Sequence, residues 1–223
     1  MTNHRYAHTS LKAHSFKALG VAVAVSAVIS GVAAQDKSAD AERVPSFIQR
    51  GQPGHEHRQL DPLVGSWKVE GKWMVAGGTP EKPIQGENLR TTRQWVAGGR
   101  FLHDVTEGSV GGSPYWRTGY LGYSNVDRRY EWITLDATNS MFMVYQGKPG
   151  SKVLNMSGKF TDQGLLGEKT VGKRVGQRTE IVIESPARHI IRLFMTPPGG
   201  REFLASEMIY TRASKGADAA AQR

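Results

Sequence analysis

The 223-residue sequence contains no cysteine. This absence excludes disulfide bonds, lipid attachment to an N-terminal cysteine, and a cysteine nucleophile. A secreted domain without disulfides has to be stabilised by the size of its core, which suits a bacterial periplasmic protein better than a small extracellular module.

Blocks of like charge are also absent. The chain has 29 basic and 20 acidic residues and a formal net charge of +9, but the basic residues occur singly or in pairs such as Arg128 and Arg129. Without a basic block or a basic helix, the sequence does not predict nucleic-acid binding, and the charge excess is typical of a solvated surface. A mild attraction to anionic ligands or membrane surfaces is the alternative.

Long apolar runs are scarce, and the main one lies near the N-terminus. Three basic residues and no acidic residue precede the apolar residues 18–34, which end in the small residues Val-Ala-Ala. These are the features of a secretory signal peptide. A transmembrane helix is the alternative. However, glycine and serine interrupt the run, which falls short of the roughly 20 apolar residues that such a helix needs. We predict a signal peptide over residues 1–34, cleavage after Ala34, and a periplasmic or secreted protein with no stable membrane insertion after cleavage.

The remaining chain divides into three parts by composition. Residues 35–52 are polar and show no helical or strand period, so we predict a disordered linker there. Residues 53–212 contain the predicted domain, and residues 213–223 a disordered C-terminal tail. At the start of the domain, residues 55–64 predict a short helical turn whose length is limited by Pro62.

Most of the predicted domain alternates between apolar and polar residues, as half-buried strands do. Glycine and proline turns separate the segments at hairpin-length spacing, which is the pattern of an antiparallel barrel or sandwich. Because a closed sheet has no exposed edges, we predict an all-β fold, a single antiparallel up-and-down β-barrel of about nine or ten strands. The predicted strands cover residues 63–75, 84–96, 100–107, 115–123, 130–135, 141–146, 152–160, 179–184, 189–195 and 202–212. Residues 164–176 fit either a loop or an irregular strand.

A closed barrel of this size is either filled by its own side chains or holds one small ligand. Large side chains at the expected inward positions favour a small, largely apolar ligand, and they fit a packed core equally well. Arg93 is a further group that could orient such a ligand. The candidate ligand-binding residues are Trp95, Phe101, His103, Tyr115, Arg117, Tyr120, Trp132, Phe142, Tyr145, Arg192 and Phe194.

Catalytic motifs are missing from the sequence. There is no Gly-x-Ser-x-Gly segment and no phosphate-binding glycine loop. Carboxylates occur at Glu70, Asp104, Glu107 and Asp136, but the sequence alone pairs no two of them at acid–base distance. We therefore predict a binding protein, and a small isomerase or hydrolase that uses the same cavity is the alternative.

Histidines provide two weak indications of a metal or cofactor. His55 and His57 could begin a metal site on a strand, but their side chains diverge on a helix and no third histidine lies nearby. His103 or His189 could ligate a haem if either faced the barrel interior. We predict no metal and no cofactor, and keep a haem-binding barrel as an alternative.

Four segments together resemble a known family. They are residues 56–71, residues 93–102, residues 119–132 and the closing residues Met-Ile-Tyr-Thr-Arg. Over roughly residues 52–212 the chain resembles the bacterial family called domain of unknown function 1579. The resemblance implies a calycin-like barrel, similar in architecture to lipocalins and fatty-acid-binding proteins, and it implies no activity.

The same resemblance suggests how one end of the barrel is closed. In calycins, the tryptophan of a Gly-x-Trp motif lies across the barrel base, and an arginine of the last strand packs on its ring. By that likeness, Gly65, Trp67 and Arg212 form a structural plug here. A guanidinium over an indole also gains cation–π attraction of about 0.5–2 kcal/mol.

Overall fold

The computed structural model describes residues 44–150 and 153–214. The predicted signal peptide over residues 1–34, the first part of the predicted linker, and residues 215–223 of the predicted tail lie outside the described residues. None of the helices among the described residues has the length and apolar character needed to cross a membrane.

Within the described residues, ten strands form one closed barrel. Each strand pairs antiparallel with the next one along the chain, and the last strand pairs with the first. The predicted up-and-down barrel is therefore confirmed. The strands are β1 (Gly65–Trp73), β2 (Ile84–Val96), β3 (Phe101–Val110), β4 (Ser113–Ser124), β5 (Arg129–Asp136), β6 (Met143–Gly147), β7 (Val153–Thr161), β8 (Arg174–Ser185), β9 (Arg188–Thr196) and β10 (Phe203–Arg212).

The predicted helical turn before the first strand is present. Helix α2 (His55–Arg58) is followed by a 3₁₀ helix (Asp61–Leu63) that contains Pro62 in its first turn. Leu60 and Leu63 are buried against the barrel core. This segment therefore packs onto the end of the barrel at which β1 begins.

Part of the predicted linker is ordered. Residues 46–50 form helix α1 (Ser46–Arg50), because the carbonyl of Pro45 accepts the first two backbone hydrogen bonds of the turn. The Nδ2 group of Asn125, in the turn between β4 and β5, donates to the carbonyl oxygens of Arg50 and Gln52, each at 2.8 Å. The sequence predicts a disordered linker here, whereas the structure has helix α1 and these hydrogen bonds within residues 44–52.

The undecided segment, residues 164–176, contains a 3₁₀ helix (Glu168–Thr170) and then the start of β8. Strand β8 begins at Arg174, earlier than the predicted start at residue 179. The sequence does not predict this part as strand because the inward positions after Val175 are the buried polar residues Gln177 and Thr179. Inward polar residues hide the apolar alternation on which strand prediction depends.

The pairing between strands is uneven around the barrel. Strands β7 and β8 are paired over nine residue pairs, whereas β6 and β7, over their described residues, are paired only at Gln146 and Ser157. The interior is also divided. A larger cluster around Trp67 and Tyr210 fills the end near α2, and a smaller one around Phe160 and Met195 lies toward the other end.

Candidate functional site

One end of the barrel is closed by Trp67. Its side chain is 1% exposed, and its Nε1 group donates to the carbonyl of Leu63 at 3.0 Å. The guanidinium carbon of Arg212 lies 4.3 Å from the centre of the indole ring. Arg212 also donates to the carbonyl oxygens of Val64 at 2.8 Å and Pro186 at 2.7 Å. These contacts join the first strand, the last strand and the segment before β1.

Gly65 makes this arrangement possible. Its φ of +118° lies in a region that residues with a side chain rarely adopt. A Cβ atom at this position would also lie 2.5 Å from Nη1 of Arg212. Glycine at this position therefore serves both the backbone and the approach of the arginine.

A buried polar stack lies next to the plug. The ring of His189 makes an edge contact with Trp67 at 4.3 Å and stacks on Tyr210 at 4.4 Å. Nη1 of Arg93 lies 2.7 Å from Nε2 of His189, and its guanidinium carbon lies 4.5 Å from the centre of the Tyr210 ring. Since a guanidinium can only donate, Nε2 accepts and the proton of the neutral imidazole is on Nδ1.

Burial of His189, with the charges of Arg93 and Arg212 nearby, lowers its pKa to about 2. The imidazole is therefore neutral at physiological pH. Burial also lowers the pKa of Arg93, although nearby Tyr210 and Asp104 oppose that effect. This end of the barrel is a packed core, in which Nη2 of Arg93 and Nδ1 of His189 have no hydrogen-bond partner among the described residues.

A buried ion pair lies above this core. Nη2 of Arg117 donates to Oδ2 of Asp104 at 2.6 Å, and both side chains are less than one-tenth exposed. Burial alone would lower the pKa of Arg117, but Asp104 and the surrounding tyrosines outweigh it and raise the pKa. The guanidinium also lies over the ring of Trp132, with its carbon 5.2 Å from the ring centre. The pair is thus a neutral unit in the interior.

Gly119 leaves room for that pair. A Cβ atom on this residue would lie 2.8 Å from Oδ1 of Asp104 and 2.9 Å from Nε1 of Trp132. The carboxylate and the indole therefore both approach the backbone of β4 where it lacks a side chain. Any larger residue at this position would have to displace one of them.

The opposite end of the barrel contains a cavity of about 410 Å³. Its apolar lining comes from aliphatic and aromatic side chains and from four methionines, Met141, Met143, Met195 and Met208. Inward positions of β4, β5 and β6 contribute polar groups to the lining. They are Tyr115, Arg117, Thr134, Asp136 and Tyr145.

The loop after β7 forms part of the cavity wall. The side chain of Asp162, which is 1% exposed, accepts backbone hydrogen bonds from Gly164, Leu165 and Leu166 at 3.1, 2.8 and 3.2 Å. Burial would raise the pKa of Asp162, but these bonds and one from a threonine hydroxyl lower it. The ionised carboxylate therefore holds the loop in the conformation that places Leu165 in the cavity wall.

Three of the eleven candidate ligand-binding residues line this cavity, namely Tyr115, Arg117 and Tyr145. Trp132 is buried below it, and borders a separate space of about 10 Å³ together with Arg93 and Asp104. Trp95 lies outside the cavity lining, where its Nε1 group donates to Oδ1 of Asp61 at 2.8 Å.

The other six candidates lie on the outer wall, which corrects the expectation that they line the interior. The His103 ring stacks on Tyr120 at 4.7 Å, the Arg178 guanidinium lies 4.0 Å from the Phe194 ring centre, and Arg192 pairs with Glu207 at 2.8 Å. Phe101 is 44% exposed and Phe142 is 61% exposed. The six are Phe101, His103, Tyr120, Phe142, Arg192 and Phe194.

The inversion on β3 has a clear cause. Phe101, His103 and Val105 share one face of β3, but the opposite face, with Leu102, Asp104 and Thr106, is the buried one. The sequence rule assumes that the more apolar face is inside. Here Asp104 is inside because Arg117 on the neighbouring strand neutralises it.

The four histidines considered as metal or haem ligands, His55, His57, His103 and His189, also lie outside the cavity lining. Among the described residues that line it there is no histidine. Nδ1 of His57 accepts from the backbone N–H of Gly54 at 3.0 Å, whereas His55 is exposed. The described residues contain no group of three side chains arranged to bind a metal ion.

Sequence reasoning missed two contributors to the cavity. The four methionines were not considered, although Met141 and Met143 alternate across the start of β6. Asp162 was not considered because its role depends on backbone amides in an irregular loop, for which the sequence has no periodic signal.

Two solved structures illustrate what this chain is similar to. The S-type phycobiliprotein lyase CPES from Guillardia theta is 13% identical, with a TM-score of 0.50, and the match covers 77% of this chain and 99% of that one. Rv2717c from M. tuberculosis is 18% identical, with a TM-score of 0.48, over 73% of this chain and 100% of that one. At these identities, the likeness to the lyase concerns the fold alone.

No curated protein matches this sequence. The family model described as "Protein of unknown function (DUF1579)" matches residues 52–212, which include the whole barrel. The chain therefore belongs to the DUF1579 family.

Proposed function

We propose that this protein binds one small, largely apolar molecule in the cavity at the open end of the barrel. The observation that carries the proposal is the cavity itself. Its volume of about 410 Å³ falls in the range of about 300–1,000 Å³ that is usual for small-molecule sites. A barrel packed solid by its own side chains, the alternative open from the sequence, would not contain a space of this size.

The chemistry of the lining supports a mainly apolar ligand. Methionine side chains are flexible and polarisable, so they adapt to ligands of differing shape. Met141, Met143, Met195 and Met208 present four such side chains to one cavity. A few polar groups of the lining, among them Tyr115 and Tyr145, then orient what the apolar walls hold.

The closed end supports a single-entry site. Trp67 and the stack of His189 on Tyr210 fill the barrel below the Arg117–Asp104 pair. A ligand would therefore enter from the end formed by the β1–β2, β3–β4 and β5–β6 connections, where Ala76, Gly111 and Thr138 border the cavity.

We further propose that binding takes place in the periplasm or outside the cell, on the basis of the signal-peptide pattern over residues 1–34. Cell fractionation, with N-terminal sequencing of the recovered protein, tests this part. Recovery from the cytoplasm with residues 1–34 intact would contradict it.

Binding is tested with N-phenyl-1-naphthylamine, a neutral probe that fluoresces in apolar surroundings. Ser113 lines the cavity at the start of β4 and is exposed, so Ser113→Trp fills the entrance with little change to the core. We expect saturable binding of the probe by the native protein. In the variant the affinity should fall at least about tenfold, because the tryptophan fills the entrance.

Ser157→Trp is the matched control, because Ser157 is exposed on the outer wall of β7. It should bind the probe as the native protein does. Equal probe binding by the two tryptophan variants would contradict the cavity as the site, and no saturable binding by the native protein would contradict the proposed function.

A further inference from the structure

The charged groups around the cavity are few and unequal in sign. Among the described residues, one cationic side chain lines it, that of Arg117, and two carboxylates do, those of Asp136 and Asp162. This differs from the chain as a whole, whose formal net charge is +9. The overall charge of the protein therefore does not predict the charge of its cavity.

The positive charge of Arg117 is already neutralised. Asp104 contacts it at 2.6 Å from the neighbouring strand, and neither side chain is more than 8% exposed. A buried carboxylate and guanidinium at this distance behave as a neutral pair, and either one is costly to leave without the other. Only Nη2 of Arg117 contacts Asp104, and Nε has no hydrogen-bond partner among the described residues. An anionic ligand that reached the guanidinium would therefore bring a second negative charge to a site that holds one positive charge.

The two carboxylates of the lining are also occupied. Oδ1 of Asp136 accepts from the backbone N–H of Thr138 at 2.8 Å, from its hydroxyl at 2.5 Å, and from Nδ2 of Asn139 at 2.9 Å. Asp162 accepts the three backbone N–H groups of its loop. Each therefore holds a loop in place, while its negative charge remains close to the cavity.

Neutral hydroxyl groups in the lining can bind a ligand. Tyr115, Thr134 and Tyr145 reach the cavity from β4, β5 and β6. Burial raises the pKa of Tyr145 to about 12 and raises the pKa of Tyr115 as well, so both phenols stay protonated at physiological pH. A protonated hydroxyl donates to a carbonyl or alcohol oxygen without any charge on the ligand.

We infer that this cavity selects an apolar molecule with one uncharged oxygen, a hydroxyl, carbonyl or ester, over the carboxylate of the same body. This inference rests on the proposed function and specifies its ligand class. The physical reason is that a carboxylate moved from water into this space would find no cation without a partner among the described lining residues.

The experiment compares two ligands with the same ten-carbon chain, decan-1-ol and decanoate, by displacement of N-phenyl-1-naphthylamine at pH 7.5. We expect the alcohol to displace the probe at a concentration at least tenfold lower than decanoate. Displacement by decanoate at the same or a lower concentration would overturn the inference while leaving the proposed function standing. If the probe binds to no saturable site, the proposed function itself fails.

The Asp104→Asn variant separates the cavity charge from ordinary water-to-oil partitioning of the ligands. It releases the charge of Arg117, so we expect decanoate to gain at least tenfold in affinity while the alcohol changes less than about twofold. Glu107→Gln is the matched control, since it removes the same charge from an exposed position of the same strand, and should change neither ligand. An unchanged decanoate affinity in Asp104→Asn would overturn the inference.

If circular dichroism shows that Asp104→Asn does not fold, Asp136→Asn provides the second test. It removes a negative charge from the lining and keeps an oxygen that can accept from Thr138. Decanoate should then gain at least threefold relative to decan-1-ol. A ratio equal to that of the native protein would contradict the role of charge.

Discussion

Arg93 and His189 meet inside the barrel with Nη1 and Nε2 2.7 Å apart. The hydrogen bond fixes the histidine as a neutral acceptor, and it gives the buried guanidinium a partner that carries no opposite charge. Because His189 also contacts Trp67 and Tyr210, this pair couples the plug to the polar interior.

Protonation of His189 should destabilise the fold. Its folded-state pKa of about 2 lies below the unfolded value of about 6.5, so the unfolded chain binds the proton more readily. This contribution to stability is complete above pH 6.5 and is lost, at about 1.4 kcal/mol per pH unit, as the pH falls below it. Urea unfolding at pH 7 and pH 5 measures the loss, and His189→Gln should remove this part of the pH dependence. An equal pH dependence in that variant would contradict the assignment.

The Trp67 side chain should be the most costly one to remove from the closed end. We expect Trp67→Ala to lower the free energy of unfolding by about 3–5 kcal/mol, as other large buried aromatics do, because the side chain is 1% exposed. Urea unfolding measures the change, and Trp116→Ala, at a tryptophan on the outer wall that is 38% exposed, is the control. A loss below about 1 kcal/mol at Trp67 would show that it does not act as a plug.

Gly65→Ala should destabilise the protein by about 1–3 kcal/mol, the usual range for backbone strain. The position has φ of +118°, and the added Cβ atom would meet Arg212. Gly54→Ala is the matched control, since a Cβ atom there meets no atom within 4 Å. Thermal unfolding of both variants compares them, and equal midpoints would contradict the close approach of Arg212.

The Asp104–Arg117 pair should show strong coupling in a double-mutant cycle. Asp104→Leu or Arg117→Met alone leaves a buried charge without its partner, and should cost about 3–5 kcal/mol. The two changes together should cost much less than their sum, because an apolar pair of similar volume replaces the ions. Urea unfolding of the three variants measures the coupling. Additive losses would mean that the pair at 2.6 Å does not act as a unit.

The fold was predictable because it depends on local alternation. In β1, Trp67 and Val69 alternate with Lys68 and Glu70, and the structure buries the apolar members as expected. The ten strands and their order follow from such patterns and from short turns, since neighbours along the chain are neighbours in the barrel.

The candidate site was less predictable, because its inner face is partly polar. On β3 and β4 the inward positions include Asp104 and Arg117, which tolerate burial through a contact between strands. On the same strands the outer face carries Phe101 and Tyr120, which read as core residues by their type. A pattern within one strand contains no information on a charge partner in the next strand, so the predicted facing was inverted on β3 and wrong for Tyr120 on β4, whereas Arg117 was placed correctly.

The pairing of β6 differs between its two flanks. The strand that carries Met143 and Tyr145 makes five residue pairs with β5 and, over the described residues, a single pair with β7. Nε2 of Gln177 on β8 also donates to the carbonyl of Val144 at 3.4 Å on the sparsely paired flank. Because few ladder hydrogen bonds protect this strand on the β7 side, we expect its backbone amides to exchange with solvent faster than those of β8 and β9 in native-state hydrogen exchange.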